Sequence, residues 1–183
     1  MPFAVICVRF ANDSISYGQV IHQTGLWSAG LLVAGLAITP FRKVFNSAAW
    51  TMWLLSHRRA IGIASFAYAA LHTVVYLERK WGADLILEEG LELELATGWL
   101  AFAIFVMLAA TSNDASVQAL GRTWKRLHRV VYAATILTFA HWFLAAYDAT
   151  VGYVLAGLVV LLQVPRFVTR SKPKAERPSD TPQ

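Results

Sequence analysis

Long apolar stretches separated by short polar connections run through most of the chain. Five of them are long enough to be interpreted as membrane-spanning helices, at roughly residues 20–39, 59–77, 95–112, 127–147 and 150–168. A helix needs about 20 mainly apolar residues to cross the hydrocarbon core of a bilayer. The pattern therefore predicts an all-α integral membrane bundle of about five transmembrane helices.

The two ends of the chain differ from this central part. Residues 1–17 contain an apolar run from Phe3 to Ala11 that Arg9 interrupts, and the run is too short to span and lacks the features of a signal peptide. Residues 172–183 hold three prolines and charges of both signs. We therefore expect a short N-terminal segment (1–17), one transmembrane domain (18–170) and a disordered cytoplasmic tail (171–183).

The composition agrees with a membrane protein, since 57% of the residues are hydrophobic, 15% are charged and the mean hydropathy is +0.49. The net charge of +5 comes from short basic blocks between the apolar stretches, which is typical of a topology signal and not of a nucleic-acid surface. Cys7 is the single cysteine, so an intramolecular disulfide or a thiolate metal site is excluded.

The basic blocks predict the orientation of the bundle. Two connections are basic, the first with Arg42, Lys43, Arg58 and Arg59 and the second with Arg122, Lys125, Arg126 and Arg129. The connection between the second and third spans is acidic, with Asp84, Glu88, Glu89, Glu92 and Glu94. Because basic connections stay on the cytoplasmic side, the N-terminus should lie outside and the C-terminus inside.

Residues 48–55, between the first two spans, contain Trp50 and Trp53. Amphipathic rings favour the headgroup region, so this stretch is predicted to form an interfacial helix. The alternative is that it extends the second span toward the cytoplasm. Trp81, Trp99, Trp124 and Trp142 fall near the ends of spans and are assigned to the aromatic belt.

Three histidines, His72, His128 and His141, lie inside the predicted spans, where an ionisable group is a candidate functional residue. His72 follows Arg58 by about 21 Å of helix and His141 follows His128 by about 20 Å, at 1.5 Å per residue. With the predicted orientation, His72 and His141 share one depth and suit the two axial positions of a haem. His128 lies nearer the cytoplasm, where it could ligate a second haem.

The inner level is less well determined by the sequence. Opposite His128 the second span offers His57, Arg58 and Arg59, of which only His57 is an ordinary haem ligand. The arginines Arg58, Arg59, Arg126 and Arg129 suit haem propionates or the phosphate of a flavin such as FMN, but positive-inside topology alone would also explain them. On a straight helix His128 and His141 would point about 140° apart, which requires a bend or haems on different sides.

Each histidine also has a simpler interpretation, because a membrane histidine can hydrogen-bond to a Ser, a Thr or a backbone carbonyl of a neighbouring helix. His22, near the outer end of the first span, is the weakest candidate and is interpreted as an interfacial or supporting residue. The candidate partners of the site histidines are Thr73, Tyr76, Thr111, Ser112 and Tyr132.

Several of these residues form motifs with a family resemblance. They are Arg58-Arg59-x-x-Gly62, Ala69-x-x-His72, Ala110-Thr111-Ser112, Leu120-Gly121-x-x-Trp124-x-x-Leu127-His128-x-x-x-Tyr132 and His141, preceded by His22-Gln23-Thr24-Gly25 and Ile38-Thr39-Pro40. Over residues 20–168 the chain resembles the ferric reductase-like transmembrane family. Within that family it is most similar to the haem-binding membrane subunits of bacterial periplasmic methionine sulfoxide reductase systems.

The resemblance implies a b-type cytochrome in the bacterial inner membrane, with a periplasmic N-terminus. It would pass electrons from a cytoplasmic flavin reductase or a quinol to a periplasmic reductase that contains molybdopterin. His72 and His141 would ligate one haem b and His128 a second, with Arg58 in the place of a fourth histidine. Such a chain is an electron-transfer subunit rather than a complete enzyme, so no catalytic residue is expected.

The chain departs from the usual family pattern in two places. Relatives usually begin with an additional helix, which residues 1–17 are too short to replace, and the segment Glu88 to Glu94 is acidic where relatives are basic and aromatic. The alternatives are therefore a stand-alone ferric reductase-like protein or a cytochrome for another extracytoplasmic acceptor. A transporter or an anchor protein is disfavoured, because the predicted spans contain no buried Asp or Glu and no pair of broken helices.

Overall fold

The computed structural model describes residues 3–45, 48–80 and 92–168, with the side chains of 164–168 excepted. All regular elements in these ranges are helical: α1 (Phe3–Ala11), α2 (Tyr17–Val44), α3 (Ala49–Arg79), α4 (Leu93–Ala110), α5 (Asp114–Leu120), α6 (Arg122–Leu127), a 3-10 turn (His128–Val130), α7 (Val131–Ala145) and α8 (Thr150–Val168). Trp81, Asp84, Glu88, Glu89 and the predicted disordered tail lie outside the described residues.

Three of these helices, α2, α3 and α4, are long and apolar enough to cross a membrane. The 15-residue α7 is shorter, but α6 and the 3-10 turn precede it directly, and α8 contributes the apolar stretch Thr150–Gln163. The predicted helical membrane bundle is thereby confirmed, and the protein is a multi-pass membrane protein.

The bundle is built from two helix pairs, because α2 packs mainly against α3 and α4 mainly against α7. The pairs meet where α3 contacts α4, and α8 packs on α2. Small polar residues join α2 to α3, since the Ser28 hydroxyl donates to the Ser65 carbonyl at 3.0 Å and the Ser65 hydroxyl donates to the Ser28 carbonyl at 2.8 Å. Small residues of this kind allow helix backbones to approach closely within a membrane.

The N-terminal segment contains a helix, α1, that the sequence analysis did not predict. Ile6 of α1 is fully buried against Val20, Tyr68 and Val75. The chain then enters α2 through a capping box, in which the Ser16 hydroxyl accepts from the Gln19 N–H and the Gln19 side chain accepts from the Ser16 N–H. Helix α1 therefore packs on the N-terminal half of α2 and the C-terminal half of α3.

The interfacial helix predicted over residues 48–55 is wrong as a separate element. Helix α3 runs without interruption from Ala49 to Arg79, so the alternative that this stretch extends the second span is the correct one. The physical reason is local, because neither glycine nor proline occurs between Ala49 and Ile61 and nothing there breaks a helix.

The connection between α4 and α7 contains two short helices that the apolar pattern did not predict. Helix α5 begins at an Asn113 cap, whose side chain accepts from the Ser116 N–H at 2.8 Å. Gly121 separates α5 from α6 with φ +51° and ψ −121°, a conformation open to glycine and strained for other residues. An ion pair between Arg59 and Asp114, at 2.6 Å, ties this connection to α3.

Candidate functional site

His72 lies on α3 with its ring against α2. Its Nδ1 is 3.1 Å from the Ile21 carbonyl oxygen and 3.3 Å from the Thr24 hydroxyl. A carbonyl oxygen can only accept, so Nδ1–H is the donor and a neutral ring keeps its lone pair on Nε2. The Thr24 hydroxyl itself donates to the Val20 carbonyl at 2.7 Å, and it can therefore act only as an acceptor toward His72.

His141 lies on α7 with its ring against α4. Its Nδ1 is 2.7 Å from the Glu94 carbonyl oxygen, a shorter bond than the one His72 makes. The same reasoning assigns the proton to Nδ1 and the lone pair to Nε2. Gly98, one turn beyond Glu94, lies directly beside the ring.

The structure brings His72 and His141 together between the two helix pairs. Their ring centroids are 6.3 Å apart and the ring planes are nearly perpendicular, at 88°. A metal bound to two imidazole nitrogens at about 2 Å each would hold the ring centroids roughly 6 Å apart. Histidine ligands commonly donate the other ring N–H to a backbone carbonyl, which fixes the tautomer and raises ligand basicity. The two residues could therefore hold one haem iron.

His128 lies at the 3-10 turn where α6 leads into α7, and its environment differs. The Trp124 ring stacks on it at a centroid distance of 3.9 Å, and its Nε2 is 3.1 Å from the Thr111 hydroxyl. Trp124 in turn donates its indole N–H to the Thr111 carbonyl at 2.8 Å. The arrangement holds His128 against the end of α4.

The 3-10 turn also supplies the bend between His128 and His141 that the sequence did not locate. A 3-10 helix advances about 120° per residue and an α-helix about 100°. Three residues of 3-10 helix, His128–Val130, therefore reduce the angle between the two side chains from about 140° to roughly 80°. The two histidines come closer to one face of the bundle than a straight helix would allow.

A cavity of about 1160 Å³ opens beside His128, between α2, α3, α4 and α7. Its walls are mostly apolar, and its cationic residues are Lys43, Arg58, Arg59, Lys125 and Arg129. Of the described residues that line it, none is a carboxylate. A large apolar cavity whose charged lining residues are cationic suits a bulky hydrophobic ligand that carries acidic groups.

This cavity distinguishes among the three residues of α3 that were predicted to lie near His128. Arg58 lines it and donates to the Thr39 hydroxyl at 3.5 Å, and Arg59 lines it while pairing with Asp114. The His57 ring instead packs against the Trp53 ring at a tilt of 30° and a centroid distance of 4.2 Å, and its Nδ1 is 2.8 Å from the Trp53 carbonyl oxygen. Of the residues at this level of α3, the two arginines rather than His57 accompany His128 at the cavity.

Three of the other predicted supporting residues have hydrogen bonds that define their roles. Thr111 contacts His128. The Thr73 hydroxyl donates to the Ala69 carbonyl within α3, and the hydroxyl of Ser112, which lies just beyond α4, donates to the Leu108 carbonyl. His22 is exposed and acts electrostatically on Asp148, at the start of α8. The Thr150 hydroxyl and N–H, which donate to Asp148, hold the pKa of that carboxyl below its usual value.

Sequence reasoning missed the carbonyls of Ile21 and Glu94, the Thr24 hydroxyl and the close approach of Gly98. A backbone carbonyl leaves no signal in a sequence. Gly25 was noticed only as part of a motif, and Trp124 was assigned to the membrane interface. The spacing of Ile21 to Gly25 and of Glu94 to Gly98, one helical turn each, is the signal that the two histidine environments share.

Comparisons with known proteins give consistent results. Residues 24–139 match the family model described as ferric reductase like transmembrane component. A protein of Agrobacterium fabrum is 33% identical over 169 residues, covering 87% of this chain and 76% of the relative. Proteins of Ralstonia nicotianae (34% identity, 78% and 67% coverage) and Azospira oryzae (35% identity, 72% and 58% coverage) are also similar. Each of these relatives is named protein-methionine-sulfoxide reductase heme-binding subunit MsrQ.

The chain spans 58% to 76% of the length of these three relatives. No solved structure shows a significant match to it.

Proposed function

Because the chain belongs to the ferric reductase-like transmembrane family, we propose that it is a haem-binding membrane subunit that carries electrons to a methionine sulfoxide reductase. The observation that carries the proposal is the pairing of His72 with His141. Both rings are fixed by backbone carbonyls at Nδ1, and their centroids are 6.3 Å apart. The names of the similar proteins supply the haem and the methionine sulfoxide reductase.

In this proposal His72 and His141 are the axial ligands of an outer haem b. Haem iron supplies one-electron redox chemistry when it is bound. The residues of this chain hold the two Nε2 atoms in place through the carbonyls of Ile21 and Glu94. The apolar helices exclude water from the pair, and the site needs no general acid or base.

His128, Arg58 and Arg59 form the inner site of the proposal. The cavity beside them is large enough for a second haem, and its cations suit two propionates. In this proposal Arg58 takes the position opposite His128 that a histidine would normally occupy, so the inner ligand set is unlike the outer one. The same cations would also bind the phosphate of FMN. The effect of Arg58→Ala on bound FMN and on haem distinguishes the two ligands.

The remaining parts of the proposal concern direction and partners. We place the protein in the bacterial inner membrane with the N-terminus in the periplasm and the C-terminus in the cytoplasm. A cytoplasmic flavin reductase or a quinol would donate electrons at the inner site. A periplasmic molybdopterin reductase would accept them at the outer site, which makes this chain an electron-transfer subunit rather than a complete enzyme. The basic connections at the His128 end support this orientation.

The test is the absorption spectrum of detergent-purified protein, oxidised and dithionite-reduced. Wild type should show the sharp reduced bands of a b-type cytochrome. His72→Ala and His141→Ala should each remove the same part of the absorbance, because each leaves one haem with a single axial ligand. His22→Ala is the matched control, since His22 is exposed on the same side of the bundle and should leave the spectrum unchanged.

Two results would contradict the proposal. Wild-type protein that stays colourless when haem is supplied during expression would rule out the cytochrome. Haem bands that survive both outer substitutions unchanged would rule out the His72–His141 pair as ligands. Removal of bound FMN on Arg58→Ala, with all haem retained, would assign the inner cavity to the flavin.

A further inference from the structure

The rings of His72 and His141 rest on their neighbouring helices in the same way. In each case Nδ1 bonds to a carbonyl of the neighbouring helix, and a glycine follows that carbonyl by four residues. Ile21 and Gly25 receive His72 on α2, and Glu94 and Gly98 receive His141 on α4. Residues four apart share one helix face, so the glycine leaves the groove into which the ring fits.

The two glycines differ in how much room they leave. A Cβ on Gly98 would lie 2.9 Å from Nδ1, 3.0 Å from Cε1 and 3.3 Å from Cγ of His141, distances that real Cβ contacts scarcely show. A Cβ on Gly25 would lie 3.5 Å and 3.6 Å from Nδ1 and Cε1 of His72, which is ordinary van der Waals contact. A side chain at residue 98 therefore requires the His141 ring to shift, whereas one at residue 25 is tolerated.

The His141 ring has little freedom to move away from an added methyl group. Its Nδ1 is 2.7 Å from the Glu94 carbonyl, and α4 and α7 pack closely along their lengths. Rotating the ring away from residue 98 would lengthen that hydrogen bond and change the position of the ring relative to His72. Packed interiors pass such a displacement on to their neighbours, because they contain few voids that could absorb it.

We propose that Gly98 is a positioning residue for the outer haem. By lacking a side chain it lets His141 bond to the Glu94 carbonyl, and this bond fixes which ring nitrogen carries the proton and holds the ring beside His72. Gly25 occupies the equivalent position beside His72 but leaves more space around that ring. The contact between Gly98 and His141 therefore sets the geometry of the histidine pair. The inference rests on the proposed haem function and adds a residue that touches no cofactor.

The first test compares Gly98→Ala with Gly25→Ala by reduced absorption spectra and by redox titration. Gly98→Ala is expected to lose the contribution of the outer haem, as His141→Ala does, or to keep it with a raised midpoint potential. The potential rises because a weaker bond to the Glu94 carbonyl makes His141 a less basic ligand. Gly25→Ala should change the spectrum and the potential less than Gly98→Ala does, because its added Cβ makes only ordinary contact with the His72 ring.

A second test separates positioning of the ring from general packing of α4. Gly98→Ala is made in the wild type and in His141→Ala, and the thermal stability of the purified proteins is measured in detergent. Where the ring is absent, the three atoms nearest to the added methyl group are gone, so Gly98→Ala should lower stability in the wild type and leave His141→Ala unchanged or more stable. Gly30→Ala is the control, because no atom lies within 4 Å of a Cβ built there.

The outcomes are distinct. If the spectrum and potential of Gly98→Ala match those of the wild type, the inference is wrong and the proposed function stands. If Gly98→Ala is equally damaging with and without His141, then Gly98 serves helix packing only and the inference is again wrong. If Gly98→Ala cannot be purified but the double variant can, the inference is supported. A colourless wild type would overturn the proposed function, while the stability comparison would still test the contact between Gly98 and His141.

Discussion

Thr24 gives His72 a second hydrogen-bond partner beside the Ile21 carbonyl. The Thr24 side chain is fully buried, and its hydroxyl lies 3.3 Å from His72 Nδ1. An acceptor at Nδ1 increases electron donation through Nε2 and so favours the oxidised iron. Thr24 is therefore expected to tune the potential of the proposed outer haem without being needed for haem binding.

We predict that Thr24→Val raises the midpoint potential of the outer haem and leaves the absorption bands in place. The shift should reach about 40 mV at most, because a neutral hydrogen bond contributes about 1 kcal/mol. A redox titration of the purified protein measures it. Thr135→Val is the matched control, since Thr135 is also buried but bonds only one turn back, to Val131. An unchanged or lowered potential in Thr24→Val would contradict the prediction.

Asp148 supplies a prediction on pH dependence, because its carboxylate accepts from the Thr150 N–H at 2.9 Å at the start of α8. Its pKa is lowered in the folded protein by the Thr150 hydrogen bonds. A lowered pKa means that the stabilisation is present above the usual pKa and is lost as pH falls through the lowered one. The thermal midpoint of Asp148→Ala should lie below that of the wild type at pH 7, and the two midpoints should converge in acid. A gap that does not change with pH would show that the charge has no role.

At the scale of helices, the contribution of the reciprocal serine contact between α2 and α3 to stability can be measured independently of any cofactor. Ser28→Ala and Ser65→Ala each remove one interhelical hydrogen bond. Each should lower stability by about 0.6 kcal/mol and by no more than about 1.7 kcal/mol. Titration of unfolding in a denaturing detergent provides the measurement. Ser56→Ala is the control, because the Ser56 hydroxyl is exposed and bonds to Trp53 in its own helix.

Gly121 should tolerate substitution poorly because of its backbone conformation. Its φ of +51° falls in a region that an L side chain rarely adopts. Gly121→Ala should cost about 1 to 2 kcal/mol of stability, or shift α6 and with it the Trp124–His128 stack. Gly18→Ala, in the first turn of α2 with open space around the position, is the comparison that should be neutral or stabilising. Unfolding titrations of both variants measure the difference in stability. Equal stability of Gly121→Ala and Gly18→Ala would contradict the prediction.

The sequence predicted the long helices well because their apolar stretches depend only on local composition. The span predicted over 20–39 is part of α2 (Tyr17–Val44), and the one over 95–112 nearly coincides with α4 (Leu93–Ala110). Helix α1 and the pair α5 and α6 were missed, since they are short and mostly depend on caps and tertiary contacts such as that of Ile6. The interfacial helix was predicted wrongly because two tryptophans were given more weight than an unbroken helical sequence.

The candidate site was accessible to sequence reasoning only in part. Charge-derived topology and helix rise placed His72 and His141 at one depth, and the structure has their rings 6.3 Å apart. The role of Gly98 could not be derived, because it depends on how closely α7 crosses α4. The 3-10 turn at His128 gave no signal either, since no glycine or proline marks it.

For the whole molecule, the distribution of charge makes a prediction about sidedness. Fully exposed Tyr147 lies in the connection between α7 and α8, and Phe45 lies at the opposite end of the bundle, where α2 ends. In a Cys7→Ser background, Tyr147→Cys should react with a membrane-impermeant maleimide added to the periplasmic side. Phe45→Cys should react only after the inner membrane is opened. The reverse pattern would invert the orientation and the direction of electron flow.

The two histidines of the outer pair belong to different helix pairs, since His72 lies on α3 and His141 on α7. An iron atom bound to both would act as a cross-link between the two halves of the bundle, and a ligand that binds only the folded state stabilises it. Chains that had not acquired haem would be held together less firmly and would be better substrates for membrane proteases. The supply of haem would thus set how much of the protein persists in the cell, independently of how much is synthesised.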